Sequence, residues 1–312
     1  MALTAEQRTH CRSQIEPWRT AMTPNPISDT PTVVFSIPLI SEEKAGDWEQ
    51  VCANLAKTVE TLRRQTNPHW KAIICSQTKP EGVCFDNQVL FLPFAEKVEG
   101  NDKRFKRRLV AGHCLKAETG DIYLFNLDAD DFAHPELVDY MIETRDPSGY
   151  LVERGYMYDI AARAIAPLHR AQKEAVDQQE RLFGLFLVPW RLNYAFRRLT
   201  GRNLANVAPR LSKMRSFGST CGSCVAWRLD CSGGDKDAQI VPQINHRLIR
   251  HANEDGLMNL DPVPFSAMMY VVGHGENDQD LIGRLHHKTR YIDEFKLSES
   301  ETRQVLRTFG VS

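Results

Sequence analysis

Three carboxylates, Asp128, Asp130 and Asp131, close a mostly apolar run in the stretch Ile122-Tyr-Leu-Phe-Asn-Leu-Asp-Ala-Asp-Asp-Phe-Ala-His-Pro-Glu136. Carboxylates crowded at the mouth of a buried strand repel one another unless a positive charge sits among them. Hard divalent cations such as Mg²⁺ meet that need, held by one or two carboxylates together with the phosphates of a substrate. Open α/β sheets bind ligands at the carboxyl ends of their strands, where such a trio would lie. The competing reading is a solvated acidic turn capping the helix after Pro135, since Asp favours such positions.

Around this trio the chain alternates. Thr32 to Leu39 is apolar and β-branched and reads as a buried strand; Asp47 to Gln65 follows with Trp48, Val51, Leu55, Val59 and Leu62 at helical spacing. Trp70 to Ser76 and Gln88 to Leu92 are two further short strands, and Lys103 to Glu118 is a helix with five basic side chains ahead of its apolar half. Ile122 to Leu127 makes a fourth strand, and a helix runs from Pro135 to about Thr144. This order is that of βαβ units in a Rossmann-like, mostly parallel central sheet flanked by helices. Upstream, residues 4–20 form a short helix, and the Pro-rich Thr23 to Pro31 is an extended lead-in.

The second half is less regular. Tyr150 to Asp159 is a strand or hairpin, Ser223 to Leu229 a buried strand, Asp237 to His251 a helix, and Val263 to Val272 a late strand. The tail from Asp278 to Arg307 is polar and partly helical. Between Arg181 and Thr220 lie eight Arg or Lys and no acidic residue, interleaved with Phe183, Trp190, Tyr194 and Phe196.

At 312 residues the chain is one large α/β domain or two smaller ones, and 42% hydrophobic content is ample for a core. A net charge of −1 argues against a nucleic-acid partner, and no 18-residue apolar run spans a membrane. Met1 to Pro31 lacks the apolar core of a secretory signal, and eight cysteines without regular spacing fit reduced thiols. The expectation is a cytoplasmic protein, at most peripheral at the inner membrane face.

The first half resembles the family 2 glycosyltransferases, which have the nucleotide-sugar-binding GT-A fold. The matching pieces are Phe35-Ser-Ile-Pro-Leu-Ile-Ser41, Lys71-Ala-Ile-Ile-Cys-Ser76 and, above all, Ala117-Glu-Thr-Gly-Asp-Ile-Tyr-Leu-Phe-Asn-Leu-Asp-Ala-Asp-Asp131. The resemblance covers roughly residues 32–145. It implies a donor half at 32–145, after a lead-in at 1–31, and an acceptor-side half at 146–277. A helical basic insertion at about 160–215 would interrupt the second half, and a tail would occupy 278–312.

The resemblance also implies roles. Pro38 to Ser41, including Ile40, would touch the nucleotide, and Gln77 would stand where the family usually has an Asp that reads the base. Lys103, Arg107 and Arg108, in the cluster Asp102-Lys-Arg-Phe-Lys-Arg-Arg108, would approach the diphosphate; the alternative is a solvated helix face. Asp128 would approach the sugar or ribose, Asp130 would ligate Mn²⁺ or Mg²⁺, and Asp131 would hold water or orient its neighbours. A late His serves as a further metal ligand in many such enzymes, and His274, between two glycines, offers one; an ordinary turn residue is the alternative.

An inverting transfer needs a carboxylate to take the proton of the attacking hydroxyl. The family's Glu-Asp pair is not at its usual place. Asp235 and Asp237, ahead of a helix, are the first candidates, and Glu254-Asp255 is the second; helix capping explains either equally well.

The basic, aromatic stretch rests on an anionic membrane surface or grips an anionic glycan, or it is an amphipathic helical pair packed on the sheet or on a second copy in a homo-oligomer. Cys221-Gly-Ser-Cys224 has a papain-like look, but only 88 residues follow it and its setting is strand-like, so buried reduced thiols fit better. The activity implied is metal-dependent transfer of a sugar from a nucleotide-sugar donor to a glycan or other hydroxyl acceptor, as in polysaccharide biosynthesis. A sugar nucleotidyltransferase and a catalytically degenerate GT-A scaffold are the alternatives. The first would carry a Gly-rich basic loop after its first strand, where this chain has Ile37-Pro-Leu-Ile-Ser-Glu-Glu43.

Overall fold

A computed structural model describes residues 3–22, 28–169, 215–232, 241–276 and 285–311. Its centre is a seven-stranded sheet. Strands β1 (Thr32–Pro38), β2 (Trp70–Ser76), β3 (Val89–Pro93) and β4 (Asp121–Asn126) run parallel in the order β3-β2-β1-β4. Because β1 and β4 are covered on both faces, they read as unbroken apolar runs rather than alternating ones. Helix α1 (Ala5–Ala21) precedes β1, and α2 (Trp48–Arg63) and α3 (Lys103–Ala117) supply crossovers.

Val51, Leu55, Val59 and Leu62 of α2 pack on one face of the sheet with Phe35, Ile37 and Phe125. On the other face, Val110 and Cys114 of α3 and Trp18 of α1 meet Val34, Ile73 and Leu124. The Asp47 side chain caps α2 by accepting from the Gln50 backbone N–H at 2.9 Å.

The second half completes this sheet and adds another. After β5 (Phe132–Ala133) and α4 (Leu137–Thr144), the expected strand or hairpin at 150–159 is instead two strands in different sheets: β6 (Gly149–Leu151) and β7 (Gly155–Asp159). β8 (Ala164–Leu168) follows, so the span from about residue 160 begins as a strand rather than as a helical insertion; residues 170–214 lie outside the described residues. β9 (Val225–Asp230) inserts antiparallel between β4 and β6, and β10 (Asp261–Pro262) closes the edge. β5, β11 (Met268–Val272), β7 and β8 form a four-stranded second sheet in the order β5-β11-β7-β8. Helices α5 (His246–Glu254), α6 (His286–Phe295) and α7 (Glu299–Thr308) complete the chain, and the last two account for the partly helical tail. Among the described residues no helix is long and apolar enough to cross a membrane.

This layout brings the interesting residues together. The parallel register aligns Pro38 with Cys75 and Ser36 with Asn126, so the carboxyl ends of β1, β2 and β4 share one edge of the sheet. The chain leaving β4 carries the acidic trio straight into β5, which pairs with β11, the strand that leads to His274.

Candidate functional site

Asp128, Asp130 and Asp131 sit where β4 passes into β5, and three segments pin them. The Thr58 hydroxyl of α2 donates to the Ala129 carbonyl at 2.9 Å, fixing the backbone between them. Ser223, just before β9, accepts from the Asp128 backbone N–H at 2.9 Å and donates its own hydroxyl to Asp131 at 2.5 Å. The Val271 N–H of β11 donates to the other Asp131 oxygen at 3.3 Å.

The three carboxylates have different surroundings. Asp131 is fully buried and also accepts from the Cys221 thiol at 2.9 Å. Burial pushes its pKa well above the usual carboxylate range, the charges of Asp130 and Asp128 push the same way, and the Cys221 and Ser223 hydrogen bonds oppose them. The same burial, with Asp131 next, raises the Cys221 thiol, which favours the protonated donor form. Burial raises Asp128 too, but Lys103 and then Arg107 outweigh it, and its pKa ends below the ordinary value. Lys103 Nζ is 2.6 Å from Asp128 and Arg107 Nη2 is 3.2 Å away. Lys103 and Arg107 lie four residues apart and so share one face of α3.

Asp130 meets His274: its Oδ2 is 3.0 Å from Nε2, and the imidazole side chain is only 4% exposed. The backbone N–H of Glu276 points at His274 Nδ1 from 3.3 Å, and the Asn54 amide nitrogen stands 3.1 Å from the same atom. Two donors on Nδ1 leave the ring proton on Nε2, so His274 donates to Asp130 in this arrangement.

The donor set fits a hard divalent cation. Asp128, Asp131 and Cys221 each offer an atom within 4.8 Å of the others, while Asp130 and His274, 3.0 Å apart, stand outside that group. A buried thiol that keeps its proton is a poor ligand, so the carboxylates carry the fit.

No family model matches this chain, and no curated protein is recognisably similar to it. The site must speak for itself.

The remaining sequence expectations divide. Pro38 is buried at the end of β1, and the Ile40 carbonyl accepts from the Ser76 hydroxyl at 3.2 Å, so both hold the edge beside β2. Gln77 follows β2 at the same edge, exposed, with its amide donating to Asp102 at 2.8 Å. Arg108 is not brought to the acidic trio. It is exposed and lines a cleft of about 200 Å³ with Gln14, Arg104 and Gln243. Glu254 and Asp255 end α5 in ion pairs, Glu254 with Arg250 at 2.8 Å and Asp255 with Arg8 at 2.7 Å, which is a structural role. Asp235 and Asp237 lie outside the described residues, as does most of the basic stretch 181–220.

Sequence reasoning missed several residues. Lys106, grouped with a solvated face, is completely buried; its Nζ donates to the Leu39 carbonyl at 2.6 Å and pairs with Asp102 at 2.9 Å. One signal was available: Lys106 stands four residues before Val110, on the helix stripe that faces the sheet. Cys221 and Ser223 were set aside with the Cys-Gly-Ser-Cys decoy, and nothing in the sequence ties them to an Asp 90 residues earlier. His246, the first residue of α5, holds the Gly218 carbonyl with Nδ1 at 2.8 Å, so its Nε2 keeps an acceptor lone pair. Lys288 of α6 is buried, its ammonium 4.9 Å from the centre of the Tyr270 ring.

Proposed function

We propose that this chain is a metal-dependent glycosyltransferase of the GT-A type. It would move a sugar from a nucleotide-diphosphate donor to a hydroxyl acceptor with inversion. One observation carries the reading: three carboxylates cluster at the carboxyl end of a central strand, with two cations from α3 on one of them and a histidine on another. Carboxylates and a diphosphate, both anionic, share a site when cations bridge them, and both kinds of cation have a place here.

In this reading Asp130, Asp128 and His274 hold Mn²⁺ or Mg²⁺, which when bound offsets the charge of the departing diphosphate. Lys103 and Arg107 turn from Asp128 to phosphate oxygens as the donor enters. Lys106 fixes the Leu39 carbonyl and, through Asp102, the Gln77 amide, and so shapes the nucleotide edge between β1 and β2. Asp131 works as a rivet, joining the loop before β9 to β11. The acceptor, by analogy alone, is a glycan such as a surface polysaccharide.

A second reading has a specific observation behind it. Asp128 already has two cations and Asp130 already has a hydrogen-bond donor, which also suits a degenerate relative that binds without catalysing. Incubation with Mn²⁺ and UDP-, GDP-, dTDP- and CDP-sugars separates the two. Slow hydrolytic release of a nucleoside diphosphate from one of them, lost in Asp130→Ala, is expected of a transferase. Binding of a nucleotide with no release from any donor, with or without added glycans, would favour the degenerate protein.

A further inference from the structure

One donor on His274 cannot be turned over. The Glu276 backbone N–H points at Nδ1 from 3.3 Å, and the Glu276 carboxylate is itself tied down, accepting from the Gly46 N–H at 3.1 Å just ahead of α2. Nδ1 is therefore the acceptor of the ring, and the neutral imidazole carries its proton on Nε2. The Asn54 amide nitrogen stands 3.1 Å from the same Nδ1, in a residue only 7% exposed, so it offers its NH₂ there and turns its oxygen away. That oxygen accepts from the Gln50 amide at 2.8 Å. From Gln50 through Asn54 and His274, every hydrogen bond bears on its neighbour in a way the backbone N–H dictates, ending with Nε2 at 3.0 Å from Asp130 Oδ2.

Pairing of buried polar groups does not by itself demand this direction. The three side chains would be paired equally well with the Asn54 oxygen on Nδ1–H and its NH₂ on the Gln50 oxygen. The two directions differ at Nε2, the nitrogen beside Asp130. In the reversed direction Nε2 presents a lone pair, the imidazole ligand that suits Zn²⁺, Cu²⁺ or Ni²⁺. In the direction observed it presents an N–H, which no cation can bind. Ligating histidines ordinarily donate their second ring N–H to an acceptor, whereas here that second nitrogen faces two donors.

Resting on the metal site of the transferase reading, we propose that Gln50 and Asn54 are positioning residues that set its metal preference. They keep the proton on Nε2, so His274 serves the cation through Asp130, by steadying that carboxylate, and not by a bond of its own. The metal then meets carboxylate oxygen alone, a hard donor set suited to Mg²⁺ or Mn²⁺. Zn²⁺ is denied the imidazole that would favour it.

The test is Gln50→Glu in the full-length chain. A carboxylate there can only accept, so the Asn54 amide must give it the NH₂ and present its oxygen to Nδ1, which draws the ring proton off Nε2. Gln50 is part-exposed in the first turn of α2, three residues after the N-cap Asp47, where Glu is favoured, so the fold should be kept. Asn54→Asp, which places the acceptor directly on Nδ1, is the second variant. Nitrogen NMR of the ¹⁵N-histidine-labelled chain in EDTA reads the tautomer, with the His274 signals assigned by their loss in His274→Gln. Nε2–H is expected in the wild type and Nδ1–H in both variants. Calorimetric titration should show Zn²⁺ binding tightened about tenfold or more in both variants, the scale on which partners of a metal ligand act, with Mg²⁺ binding unchanged. The gain should vanish in Gln50→Glu combined with His274→Gln, which separates the imidazole from the added negative charge. Nδ1–H in the wild type, or Nε2–H retained in both variants, overturns the proposal. A switched tautomer without tighter Zn²⁺ binding, or a gain that survives His274→Gln, overturns the role in metal preference. Absence of any Mg²⁺ or Mn²⁺ binding, alone or with a nucleoside diphosphate, would remove the transferase reading and the metal preference with it, while the NMR result would still decide the tautomer.

Discussion

Replacing Lys106 by Met should cost more stability than any other substitution in the basic run of α3. The ammonium is fully buried, donates to the Leu39 carbonyl at 2.6 Å, and pairs with Asp102 at 2.9 Å. Methionine matches the length of the stem but leaves the Leu39 carbonyl without this donor and the buried Asp102 carboxylate without its cation, with the Gln77 amide still donating to it. Breaking one partner of a buried pair costs about 3–5 kcal/mol, and with about 2.1 cal/mol/K of unfolding entropy per residue over 312 residues this lowers Tm by about 5–8 °C. Lys103→Met, at a partly exposed site, should cost about 0–1 kcal/mol. The acid limb provides an independent check. Burial raises the Asp102 carboxyl, but the Gln77 and Lys106 hydrogen bonds and the charges of Lys106 and Lys44 outweigh it and hold it below its ordinary value. A carboxyl lowered in the folded state adds stability above its unfolded pKa of about 3.9 and loses it as pH falls through the folded value. Urea unfolding from pH 7 to pH 3 should therefore show a shallower acid loss in Lys106→Met than in the wild type. Equal midpoints for Lys106→Met and Lys103→Met at pH 7 would refute the buried role.

Gly149 has φ +117°, and a Cβ there would come within 2.1 Å of the Ala226 carbonyl oxygen on β9. Gly149→Ala should cost about 3 kcal/mol or more, read by urea unfolding, from strain combined with overpacking. Cys84 is the exposed cysteine, and the other seven are buried, so brief iodoacetamide treatment followed by mass spectrometry should label Cys84 first and Cys221 last. The Asp131 carboxyl is raised in the folded state, so in EDTA its contribution is present at low pH and lost as pH rises above about 3.9 through the folded value. Added Mn²⁺ should flatten that part of the Tm–pH curve, and a curve unchanged by the metal would count against a cation beside this carboxyl.

Much of the fold could be read from the chain because its first half is locally consistent. β1 and β4 are uninterrupted apolar runs, and α2 shows its buried stripe at 51, 55, 59 and 62. The second sheet was not legible: β5 has two residues, and β7 and β8 have five each, too short for a period to stand out. The reading of 150–159 as one unit failed because a few residues separate strands that belong to different sheets. The meeting of Asp130 with His274, 144 residues later, was suggested by family resemblance rather than by any pattern in the sequence. Lys106 and Lys288 were hidden because a basic side chain in a basic run is ordinarily solvated, and burial of single members depends on tertiary packing that a helix pattern only hints at.

The central claim is a cation shared between the acidic trio and a diphosphate. Calorimetric titration with Mn²⁺ and each nucleoside diphosphate, alone and together, tests it most directly. The account predicts that one nucleotide binds far more tightly with Mn²⁺ than without it, and that Asp130→Ala removes this cooperation. Nucleotide binding indifferent to Mn²⁺, or cooperation that survives Asp130→Ala, would contradict it.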